Sequence, residues 1–574
     1  MLQEFQNMFR ATSKVRQISA ITSTENFLND RSLKAYQDSK AWHNLFFKYV
    51  TLHIDEDLFR PLFSEDNGAP NVSIRLMVGM LILREMFGWS YSEQFSNCMF
   101  NLQVRAALGL HNIDDPLPAE STFFLFISRM VDYEEAGNGN LMEKVFEQLT
   151  EYQIKEFDVN GSKVRMDSKI ISSNIKWYNR YELVHETLRL AYISAKEQID
   201  KILTEPDVCI LKEILVTDSR HVTYHNKKSV IDSKFLRLGS IIETILNNIQ
   251  APSTESIEIL RQVFYQQYKV VDCKATPIDD NDLSPKNIQS PHDVECNYHK
   301  KNDKAVKGYT FNITETCNPN NMLNLITNVM VAPAGTPDQD HLQPAIEKTE
   351  KLTKENIETI NVDGAYHSVP NQEICKEKGI DLVLSKMGGQ ASEYDLVKDE
   401  NNNLTVTYLP TNTIIPAEKV KKRNSYDKPT WKIINPQGKV RKFELKDVNN
   451  CELRKKIASR TLEEKYLRNN VESTIHHFGY HCYDDKTRYR GLLKHITMAN
   501  TICIGINLKR ISGFYKKLAE IERLLTIALI IKTKYKRYLS FLINLKYNIA
   551  KSVHNKQYLR FISIISRKYA LELN

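Results

Sequence analysis

Residues 358–364, Glu-Thr-Ile-Asn-Val-Asp-Gly, combine a short run of strand-forming residues with an acid and a glycine. Such a run predicts a buried strand that ends at Asp363. A similar stretch, Ser-Lys-Val-Arg-Met-Asp-Ser at 162–168, predicts a second strand that ends at Asp167. Both strands therefore present a carboxylate at their carboxyl end.

Further strands and helices alternate around these two. Strands are predicted at 307–316, 328–333 and 381–385, and helices at 340–354 and 371–378. Strands that alternate with helices indicate an α/β fold, in which helices cover both faces of a largely mixed or parallel sheet.

The flanking regions differ from this pattern. Residues 1–150 predict short helices joined by Gly or Pro turns, typical of helix-turn-helix DNA binding but equally of any small helical bundle. Two insertions are predicted within a domain spanning 158–512: a helical one at 185–265 and a small β insertion at 388–448. Helix then returns from about residue 461 and continues to the C-terminus.

Composition excludes several classes of protein. The 574 residues are 42% hydrophobic and 26% charged, which is typical of a globular chain and not of a disordered or collagen-like one. No apolar run approaches the roughly 18 residues that cross a bilayer. Nine widely spaced cysteines without a C-x-x-C pair indicate reduced thiols. We therefore expect a cytoplasmic protein with no membrane partner.

The net charge of +8 is concentrated at the C-terminus. Residues 532–574 hold ten Lys or Arg, including Lys536 and Arg537, against one acid, Glu572. Tyr and Phe residues alternate with these cations, as in proteins that contact phosphates and bases. The tail, residues 513–574, is therefore predicted to be a basic helix that contacts DNA. A solvated basic helix is the alternative.

Three acids could carry the chemistry: Asp167, Asp363 and Glu472, the last on a predicted helix four residues after Arg468. In-line displacement at a phosphodiester needs an activated oxygen and a stabilised leaving oxygen, and two Mg²⁺ ions held by carboxylates can provide both. Arg468 would orient the glutamate or hold a DNA phosphate. The alternatives are turn or cap roles for the aspartates and a surface ion pair for Arg468 and Glu472.

Four stretches resemble bacterial insertion-sequence transposases. Residues 72–130, with VSIRLMVGMLILREMFGWSYSEQF, VRAALGL and LPAESTFFLFISRM, resemble their helical N-terminal domain. RMDSKIISSNIKWYNRYELVHETLR resembles their first aspartate block, and KGYTFNITET with INVDGAYHS resembles the second. RNNVE at 468–472, followed by TRYRGLLKHITMANTICIGINLKRI, resembles the glutamate block and closing helix.

That family is similar to the DDE transposases with an RNase H-like core. The resemblance implies Mg²⁺-dependent cleavage at terminal inverted repeats and strand transfer into target DNA, with Mn²⁺ able to substitute. It implies that Asp167, Asp363 and Glu472 bind two metal ions, that Arg468 is the arginine of the glutamate block, and that the partners are double-stranded DNA at the element ends and target, with a homodimer on DNA.

The chain departs from the family pattern at one position in particular. Many relatives carry a lysine seven residues after the glutamate, where this chain has Gly479. Lys486, Arg488 or Arg490 would then take over the phosphate contact.

Three functions remain open on the sequence. The first is an active transposase. The second is a former transposase that binds DNA without cutting it, and the third is an RNase H-like nuclease without strand transfer. Metal-dependent cleavage separates the first from the second, and joining of a 3′-OH end to new DNA separates the first from the third.

Overall fold

The computed structural model describes residues 9–552 apart from 15–17, 65–70, 251–253, 273, 302, 389–391 and 421–429. The chain forms two compact units, residues 1–510 and 511–574. The predicted division of the first unit into domains 1–150 and 158–512 stays a prediction.

The N-terminal region is helical, as predicted. Its helices are α1 Asp30–Tyr36, α2 Trp42–Tyr49, α3 Ile74–Phe87, α4 Tyr91–Phe100, α5 Leu102–Ala107, α6 Glu120–Tyr133 and α7 Leu141–Glu156. Ser73 caps α3 by accepting from the Leu76 N–H, and Gly88 ends it in the left-handed region at φ 71°. Nearly every side chain of α3 is buried, so α3 is the central helix around which the others pack.

A mixed sheet follows, in agreement with the predicted α/β class. Its strands are β1 Lys163–Ser172, β4 Asn297–Lys301, β5 Lys304–Thr316, β6 Ile326–Pro333, β7 Thr359–Val362 and β8 Asp381–Leu384, after the separate hairpin β2 Tyr268–Val271 and β3 Lys274–Pro277. The order is β5-β1-β7-β8, with both β4 and β6 paired to β5. β1 is antiparallel to β5 and parallel to β7, which is parallel to β8.

One boundary prediction was wrong. β1 does not end at Asp167 but continues to Ser172, because it pairs with β5 over the whole stretch from Val164 to Ser172. Only the pairing with β7 is short, at residues 163–165 of β1. Asp167 therefore lies within a strand and just beyond the end of its parallel neighbour.

The helical insertion folds around a core of its own. It contains α8 Arg180–Ile202, α9 Glu205–Val216, α10 Ser219–His225, α11 Lys228–Asn248 and α12 Glu255–Gln267, so it is slightly wider than the predicted 185–265. Leu188, Leu238, Ile242 and Leu260 are fully buried at its centre. Further on, α13 Leu342–Thr353 and α14 Val369–Lys378 belong to the sheet region.

The β insertion is likewise a separate hydrophobic cluster. It contains β9 Tyr394–Lys398, β10 Leu404–Tyr408, β11 Thr413–Pro416, β12 Glu418–Lys419, β13 Thr430–Ile434 and β14 Val440–Glu444, within the predicted 388–448. Trp431 is fully buried in it. The helix predicted to return at about 461 returns earlier, as α15 Leu445–Ser459, because Val448 is buried in the same cluster.

Two more helices follow among the described residues: α16 Leu462–Gly479 and α17 Leu492–Ser552, whose residues from 511 onward belong to the second unit. The basic tail is helical as far as Ser552. Its cations Lys556, Arg560, Arg567 and Lys568 lie outside the described residues. In the described part of the chain, no helix is long and apolar enough to cross a membrane.

Candidate functional site

The two predicted aspartates lie at matching positions of neighbouring parallel strands. The last pair in the β1–β7 register joins Arg165 to Asn361, so Asp167 and Asp363 each follow that pair by two residues. The Asp363 carboxylate accepts a hydrogen bond from the Ala365 N–H at 2.7 Å and caps a short 3₁₀ turn, Gly364–Tyr366. Both carboxylates therefore lie at the same level of the sheet, next to the carboxyl end of β7.

Glycine after Asp363 is required by a close approach of two loops. A Cβ atom built on Gly364 would stand 2.5 Å from the backbone carbonyl oxygen of Lys386, which follows β8. Since backbone cannot yield as a side chain can, only glycine fits here. The Asp-Gly pair thus fixes how the chain leaves β7.

Alternation along β1 separates core residues from site residues. Val164 and Met166 are fully buried in the core that includes α13. Arg165, Asp167 and Lys169 point to the opposite face, because side chains alternate along a strand. That face is covered by α16, and each of the three side chains contacts it.

The contacts between β1 and α16 follow the two elements in order. Arg165 Nη1 donates to the carbonyl oxygen of Leu467 at 2.7 Å. Arg468 Nη2 donates to Asp167 Oδ2 at 3.1 Å. Lys169 lies against Gly479, where a Cβ atom would stand 2.7 Å from its Nζ. The helix that carries Glu472 is therefore fixed along the strand that carries Asp167.

Arg468 joins Asp167 and Glu472. Its Nη1 donates to Glu472 Oε1 at 3.3 Å while its Nη2 donates to Asp167. The Asp167 side chain is only 18% exposed, whereas that of Glu472 is 59% exposed. Glu472 is thus linked to Asp167 through the Arg468 guanidinium. No three His, Cys, Asp or Glu side chains of the described residues are close enough together to hold a metal ion.

The electrostatics at Asp167 favour a cation. The pKa of Asp167 is raised, chiefly because burial removes water from the carboxylate, and Asp363 and Asp338 add like-charge repulsion. Arg468 and the Ser168 N–H act in the opposite direction. Carboxylate oxygens are the donors that hard divalent ions prefer, so the donor chemistry fits such an ion, but Arg468 lies between Asp167 and Glu472 and the described carboxylates are not gathered around one position. Asp338, in the turn after β6, was missed by sequence reasoning.

A buried hydrogen-bonded group lies next to the aspartates. Ser168 Oγ and the Tyr366 hydroxyl are 2.7 Å apart, and Asn312 Nδ2 donates to both, at 3.0 and 2.6 Å. These residues come from β1, the turn after Asp363 and β5. The group therefore fixes the Asp363 turn against β1.

The described residues also include a buried ion cluster that anchors α16 to the sheet. Glu315, on β5, is completely buried and pairs with Arg165 and Arg510, while the Thr474 hydroxyl donates to it at 2.7 Å. Burial by itself raises the pKa of Glu315, but Arg510 and Arg165 outweigh it and the pKa is lowered. The glutamate therefore stays charged and holds α16 close to β1.

The cations predicted to replace a lysine at Gly479 lie in the loop before α17. Arg488 donates to the Trp89 carbonyl oxygen at 2.5 Å, and Arg490 donates to that of Asn174 at 2.7 Å. Lys486 and Arg490 are exposed, while Arg488 is half-buried.

The Lys169 ammonium group lies against the backbone of Gly479. It is paired with Asp485 at 2.8 Å. Sequence reasoning missed Lys169, although its position two residues after Asp167 was a usable signal, since it places both side chains on one face of a strand.

The remaining predicted contacts, Lys536 and Arg537, belong to the second unit. Both side chains are exposed on α17, and their contact with DNA stays a prediction.

Two family models match the chain. A model described as "Transposase domain (DUF772)" matches residues 32–129, and one described as "Transposase DDE domain" matches residues 278–508. The second match includes Asp363 and Glu472, while Asp167 precedes it. No curated protein matches.

One solved structure, the cryo-EM structure of a piggyBac transposase synaptic complex with hairpin DNA, aligns at 9% identity and a TM-score of 0.25. The alignment covers 90% of this chain and 83% of that one, and its score is too low to support an argument. The two family models identify the family, because both describe transposase domains and together they match more than half of the residues. The chain belongs to the insertion-sequence DDE transposases, enzymes that cleave DNA and transfer the cut strand.

Proposed function

We propose that this transposase cleaves the terminal inverted repeats of its element and joins the ends to target DNA, using Asp167, Asp363 and Glu472. One observation carries the proposal. Asp167 and Asp363 occupy matching positions on parallel neighbours β1 and β7, and α16 lies along β1 with Glu472 linked to Asp167 through Arg468.

We further propose that the core is RNase H-like. β1 and β6 each pair antiparallel with β5, and β7 and β8 add in parallel on the other side of β1. This order supports the proposal because it places the first and fourth strands of the core side by side, with their acids together. In this scheme 1–150 is the DNA-binding domain, 158–512 the catalytic domain and 513–574 a basic tail.

Enzymes of this family use divalent metal ions. We propose two Mg²⁺ ions, replaceable by Mn²⁺, held by Asp167, Asp363 and Glu472. When bound, such ions activate the attacking oxygen and stabilise the leaving oxygen. The chain's own contribution is orientation: Arg468 aligns Asp167 with Glu472, and the Ser168–Tyr366–Asn312 group holds the Asp363 turn.

DNA contact follows from the exposed cations near this edge. Lys486, which lines the same cleft as Lys169, and Arg490 are exposed in the first unit, and Lys536 and Arg537 are exposed in the second unit. We propose that Arg468 also contacts a phosphate, that the enzyme acts as a homodimer on DNA to pair two ends, and that it works in the cytoplasm.

The test is cleavage and joining on a plasmid that carries the gene with its native flanking DNA, with Mg²⁺ or with EDTA. Metal-dependent breaks at the flanking ends, with 3′-OH ends joined to a second plasmid, would support the proposal. Retarded but uncut DNA would favour a binding protein without cleavage. Breaks without joined products would favour a nuclease.

The substitution Lys169→Gln tests whether Lys169 contacts a DNA phosphate. Lys169→Gln should weaken binding to any DNA sequence and lower the slope of log K against log salt by about 0.9, because one phosphate contact is lost. Fluorescence anisotropy of a labelled duplex over a salt series measures the slope. Lys398→Gln, at a lysine on β9 of the β insertion, is the matched control and should leave it unchanged. An unchanged slope for Lys169→Gln would contradict a phosphate contact.

A further inference from the structure

The contacts of Arg468 with two of the proposed metal ligands set a condition on ion binding. Its two terminal nitrogens donate to Asp167 Oδ2 at 3.1 Å and to Glu472 Oε1 at 3.3 Å. An Mg²⁺ ion shared by these two carboxylates would need an oxygen of each at about 2.0–2.1 Å. The guanidinium therefore lies where the two carboxylates would have to converge on an ion.

The charge of Arg468 opposes an ion at this position. The guanidinium is always protonated in proteins, so it cannot give up its charge to admit a second cation. Its side chain is only 16% exposed, and two cations a few ångströms apart repel strongly where little water screens them. An ion can therefore join Asp167 and Glu472 only after Arg468 has moved.

The present position of Arg468 also leaves one of its donors unused. The Nε atom is buried and has no hydrogen-bond partner among the described residues. Arginine binds a phosphate group through two parallel N–H groups, and such a group offers more acceptor oxygens than the single contacts to Asp167 and Glu472 use. A DNA phosphate at this site would therefore compete effectively for the guanidinium.

The movement can be confined to side chains. The Glu315 cluster, with the Thr474 hydroxyl at 2.7 Å, anchors α16 to the sheet independently of Arg468. The Glu472 side chain is 59% exposed and therefore has room to turn toward Asp167. The helix can thus stay in place while Arg468 exchanges one anionic partner for another.

We propose that Arg468 is a gate that makes metal binding depend on DNA. Without DNA it neutralises Asp167 and Glu472 and excludes divalent ions from between them. When a phosphate of the DNA backbone binds the guanidinium, both carboxylates are released to join Asp363 around the ions. The inference rests on the proposed function, in which these three acids are the metal ligands, and it adds the order in which DNA and metal bind.

Mn²⁺ binding to the full chain without DNA tests the gate, followed by the loss of the electron paramagnetic resonance signal of the free ion. Arg468→Gln removes the positive charge and should bind Mn²⁺ at least about tenfold more tightly than the wild type. Arg441→Gln, at an exposed arginine on β14, is the matched control and should bind Mn²⁺ as the wild type does.

A second arm uses the wild type itself and holds even if Arg468→Gln fails to fold. A duplex copied from the element end should raise the Mn²⁺ affinity of the wild type at least about tenfold, and that of Arg468→Gln less than about threefold. Ions bound by the DNA alone are subtracted with the same titration of each chain carrying Asp363→Asn.

Two results would overturn the gate: equal Mn²⁺ affinities of the wild type and Arg468→Gln without DNA, or a duplex that leaves the affinity of the wild type unchanged. If Asp363→Asn still weakened Mn²⁺ binding in those cases, the assignment of the acids as ligands would stand. Binding that Asp363→Asn left unchanged in both backgrounds would instead refute the ligand assignment, and the gate with it.

Discussion

Asp363→Asn should reduce cleavage of the element ends by roughly 10³-fold or more if Asp363 is a metal ligand as proposed, because losing such a carboxylate removes several kcal/mol of charge stabilisation from the displacement. Asparagine keeps the shape of the side chain and can still accept the Ala365 N–H hydrogen bond that caps the turn. DNA binding should therefore change by less than about threefold. Cleavage is followed on the flanking-DNA plasmid and binding by anisotropy.

The matched control is Asp340→Asn, an exposed acid in the turn after β6 that is close in sequence to Asp338. It should cut at the wild-type rate. If Asp363→Asn cleaved normally, or if both variants lost activity alike, the carboxylates assigned to the ion would be the wrong ones.

Glu315→Gln should lower the free energy of unfolding by about 3–5 kcal/mol, because it leaves the buried Arg165 and the half-buried Arg510 without a counter-charge. The change is nearly isosteric, so packing alone does not explain such a loss. Since the cluster holds α16 on β1, activity should fall as well. Urea unfolding, followed by tryptophan fluorescence, measures the change.

Lys351→Ala provides the comparison. Lys351 pairs with Glu147 at 4.0 Å, and its side chain is 80% exposed. An exposed ion pair contributes about 0–1 kcal/mol to the free energy of unfolding, so the midpoint of urea unfolding should hardly move. A loss at Glu315 no larger than that at Lys351 would show that the buried cluster does not anchor the helix.

The local patterns predicted the elements around the site well. β7 and β8 appear where the sequence predicted them, because their hydrophobic runs are short and bounded by turn residues. The end of β1 was misplaced because antiparallel pairing with β5 extends it. α15 was missed because the burial of Val448 in a distant cluster stabilises it, and no local pattern records that contact.

The site itself could be predicted only in part. Asp167, Asp363, Arg468 and Glu472 were chosen from residue type and resemblance, and the geometry places Asp167 and Arg468 in contact. Lys169 and Glu315 escaped because their roles depend on partners far along the chain, Gly479 in one case and Arg510 in the other. Such pairings depend on how β1 pairs with β5 and on where α16 lies along β1, and neither can be read from local sequence patterns.

The Glu315 cluster also has a consequence for synthesis. The ribosome delivers the chain in order at about 5–20 residues per second, so Glu315 and Arg165 emerge well before Arg510. Until Arg510 is made, Glu315 lacks one of the two cations that keep it charged in the interior. A nascent chain that already displays both aspartates but ends before Arg510 therefore lacks one of the contacts that hold α16 in place. The full set of contacts around Glu315 thus forms only after residue 510 has been synthesised, later than both aspartates and Glu472.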